Sequence, residues 1–286
     1  MNTRSRTAFT TVKVASALVL VKAVTWLLTS SSGVLGSTLD SLLDVLASLL
    51  VLWAILHAER PADAGHPWGH GKAESLASLG QALFILIAGC GLIFQVVHRW
   101  LDPDPPLNMP WTGVAVMVGS SLVTFWWLRK LRAAARETGS PALEADSAHY
   151  AADILLNLSV VAGLLLSLSL NGARWPDLLI GLGIGLLILN TARKVFLSGI
   201  ENLMDRGLTE KEESQVLACV SGFSSRVSGF HDLRTRRSGS EIFLEIHLDI
   251  HRQMSFVEAH DLSEEVGRAI ESAIPRSQVT VHADPL

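Results

Sequence analysis

The sequence predicts an all-α membrane domain of six spans followed by a small α+β domain. Three observations carry that reading. Hydrophobic residues make up 49% of the 286 residues, and the mean hydropathy is +0.37, too apolar for an ordinary soluble protein. Apolar runs of spanning length recur along the first two thirds of the chain. From about Thr209 they give way to short amphipathic elements. The expected division is a membrane domain over 1–206 and a tail domain over 207–286. A net charge of -4 points to no nucleic-acid partner. Cys90 and Cys219 are too few for a disulfide framework and read as packing residues.

Taken in order, Arg4 and Arg6 precede an apolar run at 14–28 that is interrupted by Lys22. A basic start before an apolar run can mimic a signal peptide, but no cleavage site is convincing, so a retained first span is expected. Lys22 either snorkels or meets a carboxylate within the bundle. Further runs at 39–56, 76–97, 111–128, 154–170 and 178–196 complete six spans. The fifth is expected to be entered by a polar turn at 146–153. Prolines and glycines at 103–106 and 172–176 mark loops. Arg4, Arg6, Arg60, Lys72, Arg129, Lys130, Arg132, Arg136, Arg193, Lys194 and Arg206 fall on one side, against Arg99 and Arg174 on the other. That bias places both termini in the cytoplasm. In the tail, 211–220 reads as a helix. Ile242, Leu244, Ile246, Leu248 and Ile250 alternate as the inner face of a strand, 256–270 is an amphipathic helix, and 277–282 is a last strand.

The chemistry starts with Asp40 and Asp44, four apart on one face of the second span. A carboxylate inside a span costs roughly 2.5–3.5 kcal/mol. Asp40 can be read as a helix-start acid beneath a Ser37 cap. Asp44 lies roughly 10 Å further in and cannot. His149 and Asp153 repeat the four-residue spacing at the fifth span. Two such pairs can converge three carboxylates and one imidazole on a single ion, a donor set suited to a zinc-type divalent metal. Asp63, His66 and His70, spaced by three and four in a short loop, form a second candidate, against the alternative of a solvated loop with incidental histidines. In the tail, His247 faces away from the isoleucine side. His282 and Asp284 face away from Val279 and Val281.

These residues sit in a recognisable series. Leu39-Asp40-Ser41 with Asp44 comes first, then Gly69-His70-Gly71-Lys72-Ala73-Glu74, then Glu144-Ala145-Asp146-Ser147 with His149 and Asp153. His231-Asp232-Leu233-Arg234-Thr235-Arg236 and His282-Ala283-Asp284-Pro285 follow. Together they resemble the cation diffusion facilitator family, in its bacterial zinc/proton antiporter branch, from about Lys13 to Pro285.

The resemblance implies a six-helix transporter domain and a ferredoxin-like cytoplasmic domain that dimerises. It implies a homodimer in the bacterial inner membrane, with a divalent metal and protons as substrates, zinc ions also bound structurally, and no enzymatic activity. It implies metal at Asp63, His66 and His70, at the tail positions His231, His247, His260, His282 and Asp284, and a pairing of Lys72 with Asp205. In the tail, His231, His247, His282 and Asp284 are expected to hold one ion, with Asp284 bridging to a second held by His231 and His260. The transport site is Asp40, Asp44, His149 and Asp153. There metal and protons compete for one set of ligands, because bound zinc requires them deprotonated. A bound ion changes the site from near -3 to near -1, which makes it easier to bury. Zinc, cadmium or ferrous iron would leave the cytoplasm by alternating access. The alternative is a membrane-anchored zinc sensor, which would need no intramembrane ligands. A metalloenzyme is weaker still, since no zincin-type motif or oriented nucleophile occurs.

Overall fold

The computed structural model describes residues 2–29, 32–101, 111–169 and 175–286. The expected loop at 103–106, residues 172–174 of the loop expected at 172–176 and the side chain of Arg99 lie outside the described residues, and Trp175 and Pro176 of that loop are the first residues of α6. The chain divides into two compact units, Met1–Ile200 and Glu201–Leu286.

The first unit holds α1 (Thr3–Thr29), α2 (Ser32–Ala58), α3 (Ala73–Leu101), α4 (Trp111–Thr138), α5 (Pro141–Ser169) and α6 (Trp175–Leu203). Each has 27–29 residues, or about 40 Å at 1.5 Å per residue, more than the roughly 30 Å of a hydrocarbon core. The helices therefore run past the apolar stretches that announce them. Among the described residues, α1, α2, α3 and α6 hold stretches long and apolar enough by themselves to cross a membrane. Large apolar side chains such as Leu28 and Phe94 stand 82% and 71% exposed, as they would toward lipid.

The expected turn at 146–153 is instead an unbroken part of α5. The reason is a start signal two turns earlier. Ser140 caps the helix by accepting from the Leu143 amide at 3.2 Å, and Pro141 occupies the first helical position. Of the polar residues that suggested a turn, Asp146, Ser147 and His149 are buried inside the helix bundle, and the turn before them is tied to its neighbours. Ser78 donates to the Pro141 carbonyl at 2.9 Å. The Ser140 hydroxyl donates to Glu74, which also holds Arg4 at 2.8 Å. These contacts fix the start of α5 against α3 and α1.

Helix α2 packs on α1, α3 and α5, and α5 on α3 and α4. One core cluster joins Val51, Ile55, Leu131, Leu143 and Tyr150; another joins Ile85, Val96, Ala152 and Ile188. Gly181 and Gly185, four apart on α6, let it approach α3. A Cβ at Gly185 would lie 2.5 Å from Ile93 Cγ1, the close contact for which small residues are used between spans.

The second unit runs α7 (Glu210–Ser221), β1 (Val227–Ser238), β2 (Glu241–Ile250), α8 (Phe256–Ala273) and β3 (Ser277–Pro285), the helix–strand–strand–helix–strand order expected. The sheet is ordered β1-β2-β3, β1 antiparallel and β3 parallel to β2. All five alternating β2 residues are buried against Val216, Leu262, Val266 and Ile270. Both helices begin with a capping box, Thr209 with Glu212 and Ser255 with Glu258. Arg237 also pairs with Glu212.

Burial opposes the charge on Glu212, but hydrogen bonds from Arg237 and Thr209 outweigh it and bring the carboxyl down to about 2. A depressed acid contributes stability above its unfolded value, near 4.5, that is lost as pH falls through the folded one. Glu212→Gln is therefore expected to lower tail-domain stability by about 0.5–1 kcal/mol at pH 7, the range for a partly exposed pair. Chemical denaturation should show the gap closing toward pH 2.

Candidate metal centres

The first centre lies between α2 and α5. Packing of these helices brings Asp44 Oδ1 to 3.4 Å from His149 Nε2, and Asp153 Oδ2 to 3.9 Å from the same nitrogen. One ligand atom from each of the three lies within 4.8 Å of the others. His149 is 4% exposed. Both its ring nitrogens and Asp153 Oδ2 are buried without a hydrogen-bond partner. Orphaned buried polar atoms are costly, and a shared ion would satisfy these together. The expected Asp40 is on the same face one turn earlier, but it is exposed and outside this group.

Three neighbours of this centre were not assigned from the sequence. Asp146, 0% exposed and one turn before His149, accepts from Gln81 Nε2 at 3.2 Å on Oδ1, while its Oδ2 has no partner. Gln81 also donates to the Ala47 carbonyl at 3.1 Å, so it links α3 to both α2 and α5. The three-residue offset between Asp146 and His149 was the available signal. Lys22, left open between snorkelling and pairing, is buried. Its ammonium donates to Ser41 Oγ at 2.6 Å and to the Ser37 carbonyl at 3.4 Å. It is thus held along the Asp40/Asp44 face of α2, a fixed positive charge beside the acids.

The second centre is the loop between α2 and α3. The His66 and Gly65 amides donate to Asp63 Oδ1 at 2.7 and 2.9 Å, an Asx turn that fixes the carboxylate. The His66 amide, with help from Gly65, holds the Asp63 carboxyl below the usual range, so it is an anion at neutral pH. Its oxygens lie 3.3 Å from His66 Nδ1 and 3.3 Å from His70 Nε2. All three residues converge as expected. His57, at the end of α2, was not read as part of this group; its ring centre is 5.0 Å from that of His70.

The third centre is on the tail sheet. Strand register sets His231 opposite His247 and His247 opposite His282, so three imidazoles stand side by side across three strands. Asp284 Oδ2 lies 2.8 Å from His247 Nδ1 and 3.2 Å from His231 Nε2, and Oδ1 lies 3.1 Å from His282 Nε2. His247 first, and the other two imidazoles, hold the Asp284 carboxyl below its usual range. A ligand atom each from His231, His247 and Asp284 falls within one 4.8 Å group. His260, expected to share a second ion with His231, is outside this group. It lies on α8 with its ring parallel to Phe256 at 6.5 Å. His231 Nδ1 instead meets Asp249 Oδ1 at 3.0 Å, an orienting contact of the kind that fixes a ligand imidazole. Asp249 shares a strand face with His247, and two-residue alternation was the signal for it.

Comparison with known proteins agrees across both units. The cation efflux transmembrane domain matches residues 8–204, and the cation efflux protein cytoplasmic domain matches residues 208–286. The cation-efflux pump FieF of Salmonella typhi is 37% identical over 281 residues, 98% of this chain and 92% of that one. FieF of Salmonella agona (strain SL483) gives the same figures. Among solved structures, the zinc form of CzrB is 38% identical over 28% of this chain and 92% of that one, with a TM-score of 0.27. With the two domain families matched over residues 8–204 and 208–286 and a relative 37% identical over 98% of the chain, the chain belongs to the cation efflux, or cation diffusion facilitator, family of multi-pass membrane transporters.

Proposed function

We propose that this chain exports zinc from the cytoplasm in exchange for protons, moving a single intramembrane site between the two sides of the membrane. The observation that carries this is the convergence of half-buried Asp44 and Asp153 on the buried His149, with its unpartnered nitrogens and oxygen. The reading counts Asp40 as a fourth ligand, recruited from one turn away when the ion arrives.

Charge explains why metal and proton exchange. Asp40, Asp44 and Asp153 bring three negative charges, and Lys22 brings one fixed positive charge. A divalent ion then leaves the loaded site neutral, the condition in which it is cheapest to bury. When the ion leaves, protons on the same groups relieve the repulsion, and a proton gradient is thereby coupled to the metal. The imidazole favours zinc or cadmium over manganese, with ferrous iron between them.

The same reading places both termini in the cytoplasm of a bacterial inner membrane and makes the protein a homodimer. The tail would bind regulatory zinc, and Lys72 with Asp205 would join protomers at the membrane surface. A membrane-anchored zinc sensor remains the rival, but it gives no use to ligands buried between spans.

The test is uptake into proteoliposomes with an imposed pH gradient, comparing zinc, cadmium, ferrous iron and manganese. Zinc flux that follows the gradient and reverses with it is expected. Flux indifferent to the gradient would mean a uniporter. In the same assay His149→Asp is expected to raise manganese flux relative to zinc by about tenfold, because an all-oxygen site suits the harder ion. An unaltered zinc preference would remove His149 from the ligand set.

A further inference from the structure

We infer that His57 is a fourth ligand of the loop centre, so that Asp63, His66, His70 and His57 close around one zinc-class ion and clip the end of α2 to the start of α3. This rests on reading Asp63, His66 and His70 as a metal site.

Those three residues supply three donors, whereas a structural zinc site takes four and a site with a water or vacant position exchanges its ion. The fourth donor therefore decides whether the loop holds metal or passes it on. His57 lies in the last turn of α2, half-buried. Its ring is 5.0 Å from the His70 ring at an interplanar angle of 85°, and the His66 and His70 rings are 4.5 Å apart. With a Zn–N bond of about 2.0 Å and a ring centre about 1.1 Å behind the nitrogen, two imidazoles on one tetrahedral ion have centres about 5 Å apart. His57 and His70 already have that spacing. His57 rests on the Trp53 ring at 5.4 Å and 18°, so a flat face holds it beside the site. His70 is 6% exposed at its side chain, and its Nδ1 is buried with no hydrogen-bond partner. The centre thus has a protected wall formed by α2 and α3, and an open side formed by the loop. The four donors span the end of α2 and the loop up to three residues before α3. An ion bound by all four fixes the hairpin of the two helices, one of which carries Asp44.

The experiment uses the full chain with the other two centres disabled by Asp153→Ala, His247→Ala and Asp284→Ala. Zinc is titrated by calorimetry, and its neighbours are counted by X-ray absorption at the zinc edge. One zinc per chain with three imidazoles is expected. Adding His57→Phe, which keeps a ring on Trp53, should drop the count to two imidazoles. It should also weaken binding by about 100-fold, the upper end of what losing even an outer-shell partner costs. Unchanged affinity and imidazole count in His57→Phe, with zinc still lost in His70→Ala, would overturn the role of His57 and leave the three-residue site standing. No zinc in the parent background would overturn the loop site itself, and His57 with it.

Discussion

Replacing Asp153 or Asp44 by alanine is expected to reduce proton-driven zinc flux to the level of protein-free vesicles. The fall should be at least about 100-fold, since a bound ion loses that much from disturbance of its outer shell alone. Asp44 Oδ1 and Asp153 Oδ2 approach one imidazole nitrogen from two different helices, so either loss takes one charged ligand from the ion. Neither change should unfold the protein. The acids repel one another when no metal is bound, and Asp153 Oδ2 is buried without a partner. Removing a buried group of that kind relieves a cost instead of creating one. Thermal melting without metal should therefore match or exceed the parent, and sedimentation should find the same oligomer. Parent-like flux in either variant would end the assignment of this centre.

The second large effect is expected in the tail. The second unit, Glu201–Leu286, has its own core and two capped helices, so it can be expressed without the spans. Zinc at 100 times its dissociation constant stabilises a folded domain by about 2.7 kcal/mol per site. For a domain of this size that raises the melting temperature by about 10 °C or more. The double change His247→Ala with Asp284→Ala removes the central imidazole and the carboxylate that reaches all three histidines. The zinc-induced rise should vanish, as should any zinc dependence of dimerisation in sedimentation. A full rise in the double variant would reduce the cluster to surface histidines. His260→Ala, at a residue stacked on Phe256 away from the cluster, separates one-ion from two-ion models. With one ion per chain the stoichiometry is unchanged; with two it falls by one.

Much of this was legible locally. Apolar runs announce spans because lipid offers the backbone no partner. The pairs Asp40/Asp44 and His149/Asp153 were visible because residues four apart share a helix face. The β2 strand was visible because its five aliphatic residues alternate. Short-range spacing also grouped Asp63, His66 and His70, which converge in the structure. Each of these depends on the period of one element and nothing beyond it.

What the packing of elements decided is of a different kind. Local polarity suggested a turn at 146–153, but burial against α3 made it helix, with Gln81 supplying the partner that Asp146 lacked in its own helix. Lys22 found serines on α2, and His231 found Asp249 on the neighbouring strand. His260 fell outside the tail group, and His57 came within 5.0 Å of His70 across a loop. The sequence by itself determined the family, the apolar helices and the pairs of polar residues that share a helix face, because such patterns are properties of single stretches of chain. Only the tertiary structure decided which pairs meet, which charges lie beside them and which histidines come near one another, because such contacts depend on the register in which distant helices and strands pack.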